Sequence, residues 1–424
     1  MKIAIVNQPI SEVFLPEGRG SIGIVTVELA RRLAKSNEVV AYIRGHGIRK
    51  KEIWDKGVNY RFIPVGFDEK FFLKILSGFS TLFPMFFDKK RPEFTSWFYY
   101  ISYILQISID IRMQKFDIVH IHSFTQFVPI IRALNPDIKI VLHVHNNWMS
   151  DLDSETIERH LINTDLVVCV SDYIAEKFRS RFPKCANRCQ TVYNGVDINL
   201  FSRKNDPTAN KKDDTRRLLF VGRVTPEKGV HILIESFSKI SKIYPNVKLE
   251  IVGPLWLAPM DFNITISDDD KVRELAHYYD KNSQLSYFTK LKDLIPKNLE
   301  NNVIFTDQLP QSQIVNHYLD TDVFILPSIC HEGFGMTIIE AMACQVSVVV
   351  SRSGGATEIV EGCKCGLIVE RGDSNALAEA IIQLLSDDKL RKNMGIAGRE
   401  RVLELFSWDR ISENLLNEYH KLLI

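Results

Sequence analysis

A chain of 424 residues is too long for one ordinary core and suits two domains of about 200 residues each. A hydrophobic fraction of 45% and a charged fraction of 25% are those of a soluble globular protein. The net charge of +1 gives no global field to draw nucleic acid, so no such partner is expected.

The first strand, at 2–6, breaks at polar residues and is too brief for a signal-peptide core. The glycine loop Gly18-Arg-Gly20-Ser-Ile-Gly23 follows it and precedes a helix expected to begin near Ile24. Further strands are expected at 39–43, 61–65, 117–121, 139–144, 166–170 and 190–193. Between them, residues 67–103 hold 13 of the 43 aromatic residues, interrupted by Lys70, Lys74, Lys89, Lys90 and Arg91. That mixture suits a segment lying in the headgroup region of an anionic membrane. The competing reading is a set of helices packed on the first-domain core or closing over a small acceptor.

His145 lies at the carboxyl end of the strand at 139–144, and His120, His122 and His143 sit on this strand and its neighbour. The expectation is that these histidines alternate strand faces. With no carboxylate at ligand spacing, no metal site is expected. Asp151-Leu-Asp153 reads as a helix entrance with Asp153 or Ser154 as N-cap. The seven cysteines are odd in number and scattered, which argues for a reducing compartment; Cys185 and Cys189, and Cys363 and Cys365, are expected to be inert thiols.

The polar stretch 202–215 separates a second set of strands at 217–221, 247–252, 303–305, 322–326, 346–350 and 367–369, and reads as the interdomain linker. Such alternation of strand and helix implies parallel sheets covered on both faces. Arg217-Leu-Leu-Phe-Val-Gly222 is a strand, Arg223-Val-Thr-Pro-Glu-Lys-Gly229 a loop, and the helix after it has apolar residues at 230, 233, 234, 237 and 240. Arg223 and Lys228 bracket that loop and can place two positive charges on one diphosphate. Asp268 to Asp270 fall in a polar insertion. After the strand at 322–326 comes Glu332-Gly-Phe-Gly-Met-Thr-Ile-Ile-Glu340: two carboxylates flanking a glycine turn that opens into a helix. The unpaired N–H groups of such a turn make an anion cradle, and Glu340 is placed to accept hydrogen bonds from the hydroxyls of a ribose.

These motifs resemble the donor site of the family-4 retaining glycosyltransferases. The resemblance rests on Val221-Gly-Arg223 with Glu227-Lys-Gly229 and on the segment from Glu332 to Glu340. It extends to Tyr193-Asn-Gly-Val-Asp197, Gly354-Gly355 with Glu358, and Phe406-Ser-Trp408, so it covers nearly the whole chain. It implies an α/β chain with the GT-B fold, two doubly wound Rossmann-like domains facing across a cleft. The expected domains are 1–197 on the acceptor side and 198–408 on the nucleotide-sugar side, with a last helix at about 409–424 returning to the first. The implied reaction moves a sugar, with retention, from a nucleoside diphosphate sugar to the hydroxyl of a glycan, lipid-linked or small-molecule acceptor.

The resemblance also assigns roles. Arg223 and Lys228 neutralise the leaving diphosphate, and Glu332 binds the transferred sugar. His145 meets the same sugar or the reacting centre. Gly20, Gly333, Phe334, Gly335, Met336, Thr337 and Glu340 complete the donor contacts. Cationic side chains take the place of a metal, and no cofactor is expected. A cytoplasmic protein, peripheral at the inner face of the membrane if 67–103 inserts, follows from the same reading. One departure is local: where the family has Gly and Pro after the helix, this chain has Cys344-Gln345-Val346-Ser347. Another GT-B enzyme, an epimerase or phosphorylase, and a non-catalytic nucleotide-sugar binder stay open as alternatives.

Overall fold

The computed structural model describes the chain except residues 12, 46–50, 83–89, 204–213, 256–263 and 280–282. The chain divides into two compact units. One is Met1–Asn194 with Trp408–Ile424, and the other is Gly195–Ser407. The division falls upstream of the polar stretch 202–215.

In the first unit the strands are Lys2–Val6 (β1), Glu38–Gly45 (β2), Glu52–Asp55 (β3), Val58–Pro64 (β4), Ile118–His122 (β5), Lys139–Val144 (β6), Leu166–Cys169 (β7) and Cys189–Thr191 (β8). They form one sheet in the order β3-β4-β2-β1-β5-β6-β7-β8. All pairs are parallel except β3 with β4. The runs Ile-Ala-Ile-Val of β1 and Val-Val-Cys of β7 are buried at every position, as parallel strands covered on both faces must be. The antiparallel pair is absent from the sequence reading. Its two-residue turn, Lys56 and Gly57, has φ of 45° and 84°, and lysine at the first position hides the hairpin signal.

Two local expectations are corrected. The first helix spans Gly20–Leu33, so Gly20 to Gly23 form its opening turn and not a loop ahead of it. Cys363 and Cys365 are not free thiols but are joined as a disulfide; Lys364 between them adopts a left-handed φ of 52°, which folds the two side chains together.

The second unit holds Arg216–Val221 (β9), Val247–Val252 (β10), Val303–Thr306 (β11), Val323–Leu326 (β12), Ser347–Ser351 (β13) and Gly366–Val369 (β14), all parallel. Their order is β11-β10-β9-β12-β13-β14. Helices Val230–Ile240 and Ser374–Ser386 pack on each other, as do Met336–Ala343 and Asp388–Leu405. Gln345, which stands where the family has glycine, takes the left-handed conformation that ends the helix, with φ of 58°.

Residues 67–103 are largely helical where described. A π-helical turn Asp68–Phe72 runs into the helix Leu73–Leu82, and a short turn Glu93–Thr95 precedes the helix Ile101–Gln114. Asp68 is fully buried and caps that last helix, accepting from the backbone N–H of Ser102 at 2.8 Å and of Tyr103 at 3.0 Å. Phe83, Phe86, Phe87 and Lys89 lie outside the described residues.

Candidate functional site

In a doubly wound sheet, ligands sit where the strand order reverses, beyond the carboxyl ends of the two central strands. In the second unit that point lies between β9 and β12. Both carry a motif loop at that end, and β12 is buried at all four residues.

The loop after β9 places Arg223 and then a single turn, Pro226–Lys228, closed by Gly229 in the left-handed conformation. A Cβ on Gly229 would lie 2.0 Å from the carbonyl oxygen of Pro327, so only glycine lets the two loops abut. Their approach sets Lys228 Nζ at 2.6 Å from Oε1 and 2.8 Å from Oε2 of Glu332. The Ser328 hydroxyl also donates to that carboxylate. Burial acts to raise the Glu332 pKa. The charge and hydrogen bonds of Lys228, the bond from Ser328 and the charge of Arg223 outweigh it, and the carboxyl ends below its usual range. Glu332 is therefore an ionised partner that orients Lys228.

The main chain of Glu332 bridges to the segment after β13. Its N–H donates to Ser353 O at 3.3 Å, and its carbonyl accepts from Gly355 N at 2.9 Å. The helices Met336–Ala343 and Gly355–Val360 thus begin side by side. Gly335 leads into the first with φ of 123°, and a Cβ there would meet Ile338 Cδ1 at 2.8 Å. Gly333, Phe334 and Met336 are buried and Thr337 is half-buried. Opening N–H groups of Met336–Ala343 have no partner within their own helix, so this end, Arg223 and Lys228 form a positive cradle for an anion.

Glu340 lies one turn deeper. Its oxygens accept from Gln311 Nε2 at 2.9 Å and from Tyr318 OH at 2.8 Å. Burial pushes its pKa up to about 7, against a smaller lowering by those two bonds. At neutral pH it is divided between the neutral and ionised forms.

In the first unit the order reverses between β1 and β5. Gly20 opens the helix that follows β1, exposed and with a left-handed φ of 67°. The four histidines line the ends of β5 and β6. Residues two apart on a strand share a face, so the expectation of alternating faces is corrected: His120 and His122 lie with His143 and His145 in one group. His122 Nδ1 and His145 Nε2 are 2.7 Å apart, and His120 Nε2 and His143 Nδ1 3.0 Å. His120 Nδ1 is 2.6 Å from the hydroxyl of Tyr419 on the last helix. His120, His122 and His143 each offer a nitrogen within 4.8 Å of the others, so an ion could be reached by all three. Burial lowers all four pKa values, and repulsion from the other rings adds to it for His122, His143 and His145; the values fall to about 3 for His120 and His145. Imidazoles of this kind are uncharged throughout the physiological range.

Two family descriptions match the chain in tandem. "Glycosyltransferase Family 4" matches residues 22–200, and "Glycosyl transferases group 1" matches residues 202–401. This chain belongs to the family-4 glycosyltransferases. Spore coat protein SA of Bacillus subtilis is 26% identical to the glycosyltransferase over 74% of its chain and 81% of the relative. The lipopolysaccharide 1,2-N-acetylglucosaminetransferase of Salmonella typhimurium is 23% identical over 97% and 96%. Among solved structures, Anabaena HepE in complex with UDP and glucose superposes with a TM-score of 0.70, at 18% identity, over 99% of this chain and 100% of that one. That likeness bears out the GT-B fold. No helix among the described residues of the glycosyltransferase is long and apolar enough to cross a membrane.

Sequence reading misses four residues of these sites: Ser328 on Glu332, Gln311 and Tyr318 on Glu340, and Tyr419 on His120. Only Ser328, four residues before Glu332, carries a local signal. The other three arrive from distant helices.

Proposed function

We propose that this glycosyltransferase moves a sugar, with retention of configuration, from a nucleoside diphosphate sugar to an acceptor hydroxyl. The supporting observation is the Lys228–Glu332 pair beside Arg223 and the helix N-terminus at Met336. These cations and N–H groups suit the charge that grows on a departing diphosphate. The solved relative named with UDP and glucose supports the donor class. His145 meets the transferred sugar, and attack from the departing face lets the leaving phosphate take the acceptor proton. Cationic side chains serve where other glycosyltransferase folds use a metal. The test is to incubate the enzyme with a panel of nucleotide sugars, with and without EDTA, and measure released nucleoside diphosphate. One donor should turn over equally in both; release that requires added magnesium or manganese would overturn the metal-free reading.

Glu340 holds the donor ribose in this reading. Glu340→Gln keeps the shape of the neutral acid and loses an ionised acceptor. Such a bond contributes about 1.5–3 kcal/mol, so the donor KM should rise about tenfold or more while kcat changes little. Because the Glu340 pKa is raised to about 7, the ionised acceptor forms as pH rises through that value. Donor KM should therefore fall between pH 6 and 8 in the wild type and stay level in the variant. A collapse of kcat at unchanged KM would instead give Glu340 a part in the chemistry.

The acceptor is a lipid-linked glycan met at an anionic membrane surface. Phe67, Phe71, Ile75, Phe79 and Leu82 recur every three or four residues along one helical run, and each is between 43% and 75% exposed. Lys70 and Lys74 are exposed on the same run. The Salmonella relative is named for lipopolysaccharide, a glycan carried on lipid, which supports this reading. The protein should sediment with phosphatidylglycerol vesicles at low salt, less at high salt, and less when Phe71, Ile75 and Phe79 become serine. Wild-type protein that stays free of vesicles at low salt would favour a soluble acceptor.

A further inference from the structure

The histidine pair at the ends of β5 and β6 constrains the protonation state of His145. Two uncharged imidazoles joined nitrogen to nitrogen at 2.7 Å share one proton. That proton belongs either to His145 Nε2 or to His122 Nδ1, and the choice fixes the other nitrogen of each ring.

His122 decides it. The residue is 1% exposed, and among the described residues its Nε2 has no hydrogen-bond partner. If His145 donated, His122 would carry its own proton on that buried Nε2. A buried N–H without an acceptor costs about 1–3 kcal/mol, and such orphaned donors are rarer in folded proteins than orphaned acceptors. If His122 donates from Nδ1, its Nε2 is a bare lone pair and the orphaned donor vanishes. His145 then keeps its proton on Nδ1.

The backbone holds this arrangement in place. Ser123, directly after His122, has a left-handed φ of 61°. Its N–H donates to His143 O at 2.9 Å, and Phe124 N donates to His122 O at 2.8 Å. A non-glycine residue held in this region marks a conformation that its surroundings enforce. The ring of His145 is half-buried, in contrast to the other three.

We propose that His122 is a positioning residue that fixes His145 as the Nδ1–H tautomer, so that His145 offers the ligand a hydrogen-bond donor and not a base. This rests on the reading that His145 meets the transferred sugar. The consequence is chemical. A donor at that place can stabilise negative charge on an oxygen of the donor substrate, but it has no lone pair with which to take the acceptor proton. The proton must leave by another route, which agrees with its transfer to the departing phosphate.

The test is the tautomer itself, read from long-range proton–nitrogen correlation spectra of the full chain labelled with nitrogen-15 histidine. His145 is assigned by the signals lost in His145→Gln. The expected spectrum shows His145 protonated on Nδ1. In His122→Asn the side-chain amide stands near the lost Nδ1–H, so the tautomer and kcat should be kept. In His122→Phe the donor is gone. His145 should shift to the Nε2–H form, and kcat should fall by up to about 10²-fold, the usual size for a misdirected donor, with donor KM nearly unchanged. An Nε2–H tautomer in the wild type, or an unshifted tautomer in His122→Phe, would overturn the proposal. An Nδ1–H tautomer together with full turnover in His145→Ala would uphold the role of His122 and overturn the sugar contact alone.

Discussion

Replacing Lys228 by alanine is expected to lower kcat on the order of 10²–10³-fold, the usual cost of one preorganised group aimed at transition-state charge. It should also destabilise the second unit, and the reason lies in the pair. Lys228 and Glu332 are 18% and 11% exposed, with both carboxylate oxygens on the ammonium. Removing one member of a buried pair leaves a charge without compensation, at about 3–5 kcal/mol. The double variant Lys228→Ala with Glu332→Gln separates the two effects. Neutralising the stranded carboxylate should restore the melting temperature without restoring the rate. If turnover returned along with stability, Lys228 would be a structural residue and the diphosphate assignment would fail.

The first unit should lose stability steeply as the pH falls below about 6.5. His120 and His145 have folded values near 3, and His122 and His143 are held well below 6.5, with burial the leading cause in each. Between those values and 6.5 the unfolded chain binds protons that the folded chain does not. Stability therefore rises with pH across this window and is lost on acidification. Each such histidine contributes about 1.4 kcal/mol per pH unit. His120 and His145 together over two units reach about 5 kcal/mol, a large share of the stability of a typical domain, and His122 and His143 act in the same direction. Glu340 works the other way in the second unit: its raised value makes the folded state the better proton binder between 4.5 and about 7, so its contribution is lost as pH rises. Thermal melts from pH 8 to pH 5 should show an early transition moving down with acid. A melting profile level from pH 7 to pH 5 would mean that the four rings are not held neutral.

Much of this molecule is legible along the chain. Parallel strands buried on both faces announce themselves as apolar runs, and the runs at β1, β6 and β12 are such segments. The motif loops are equally readable, because an anion cradle needs glycine where the backbone turns and cations beside it. The pairing of Lys228 with Glu332 is not legible, since the two are 104 residues apart and meet only because β9 and β12 are neighbours. The partners of Glu340 escape notice for the same reason: Gln311 and Tyr318 lie on a helix of their own. The histidine faces follow from a purely local matter, the two-residue repeat of a strand. Near 67–103 the count of aromatics is plain in sequence, but which rings face solvent depends on the continuous helical run from Asp68 to Leu82.

The bond between Tyr419 and His120 spans 299 residues, because the first unit is assembled from both ends of the chain. The second unit, Gly195–Ser407, is continuous and can close as soon as it has been synthesised. The first must wait, with its sheet formed and the seat for Trp408, Leu415 and Tyr419 uncovered, until the last helix leaves the ribosome. Domains that complete themselves in order of synthesis usually finish the amino-terminal one first. Here the order is inverted, and in the interval the apolar surface that Trp408, Leu415 and Tyr419 cover in the finished unit stays open to water.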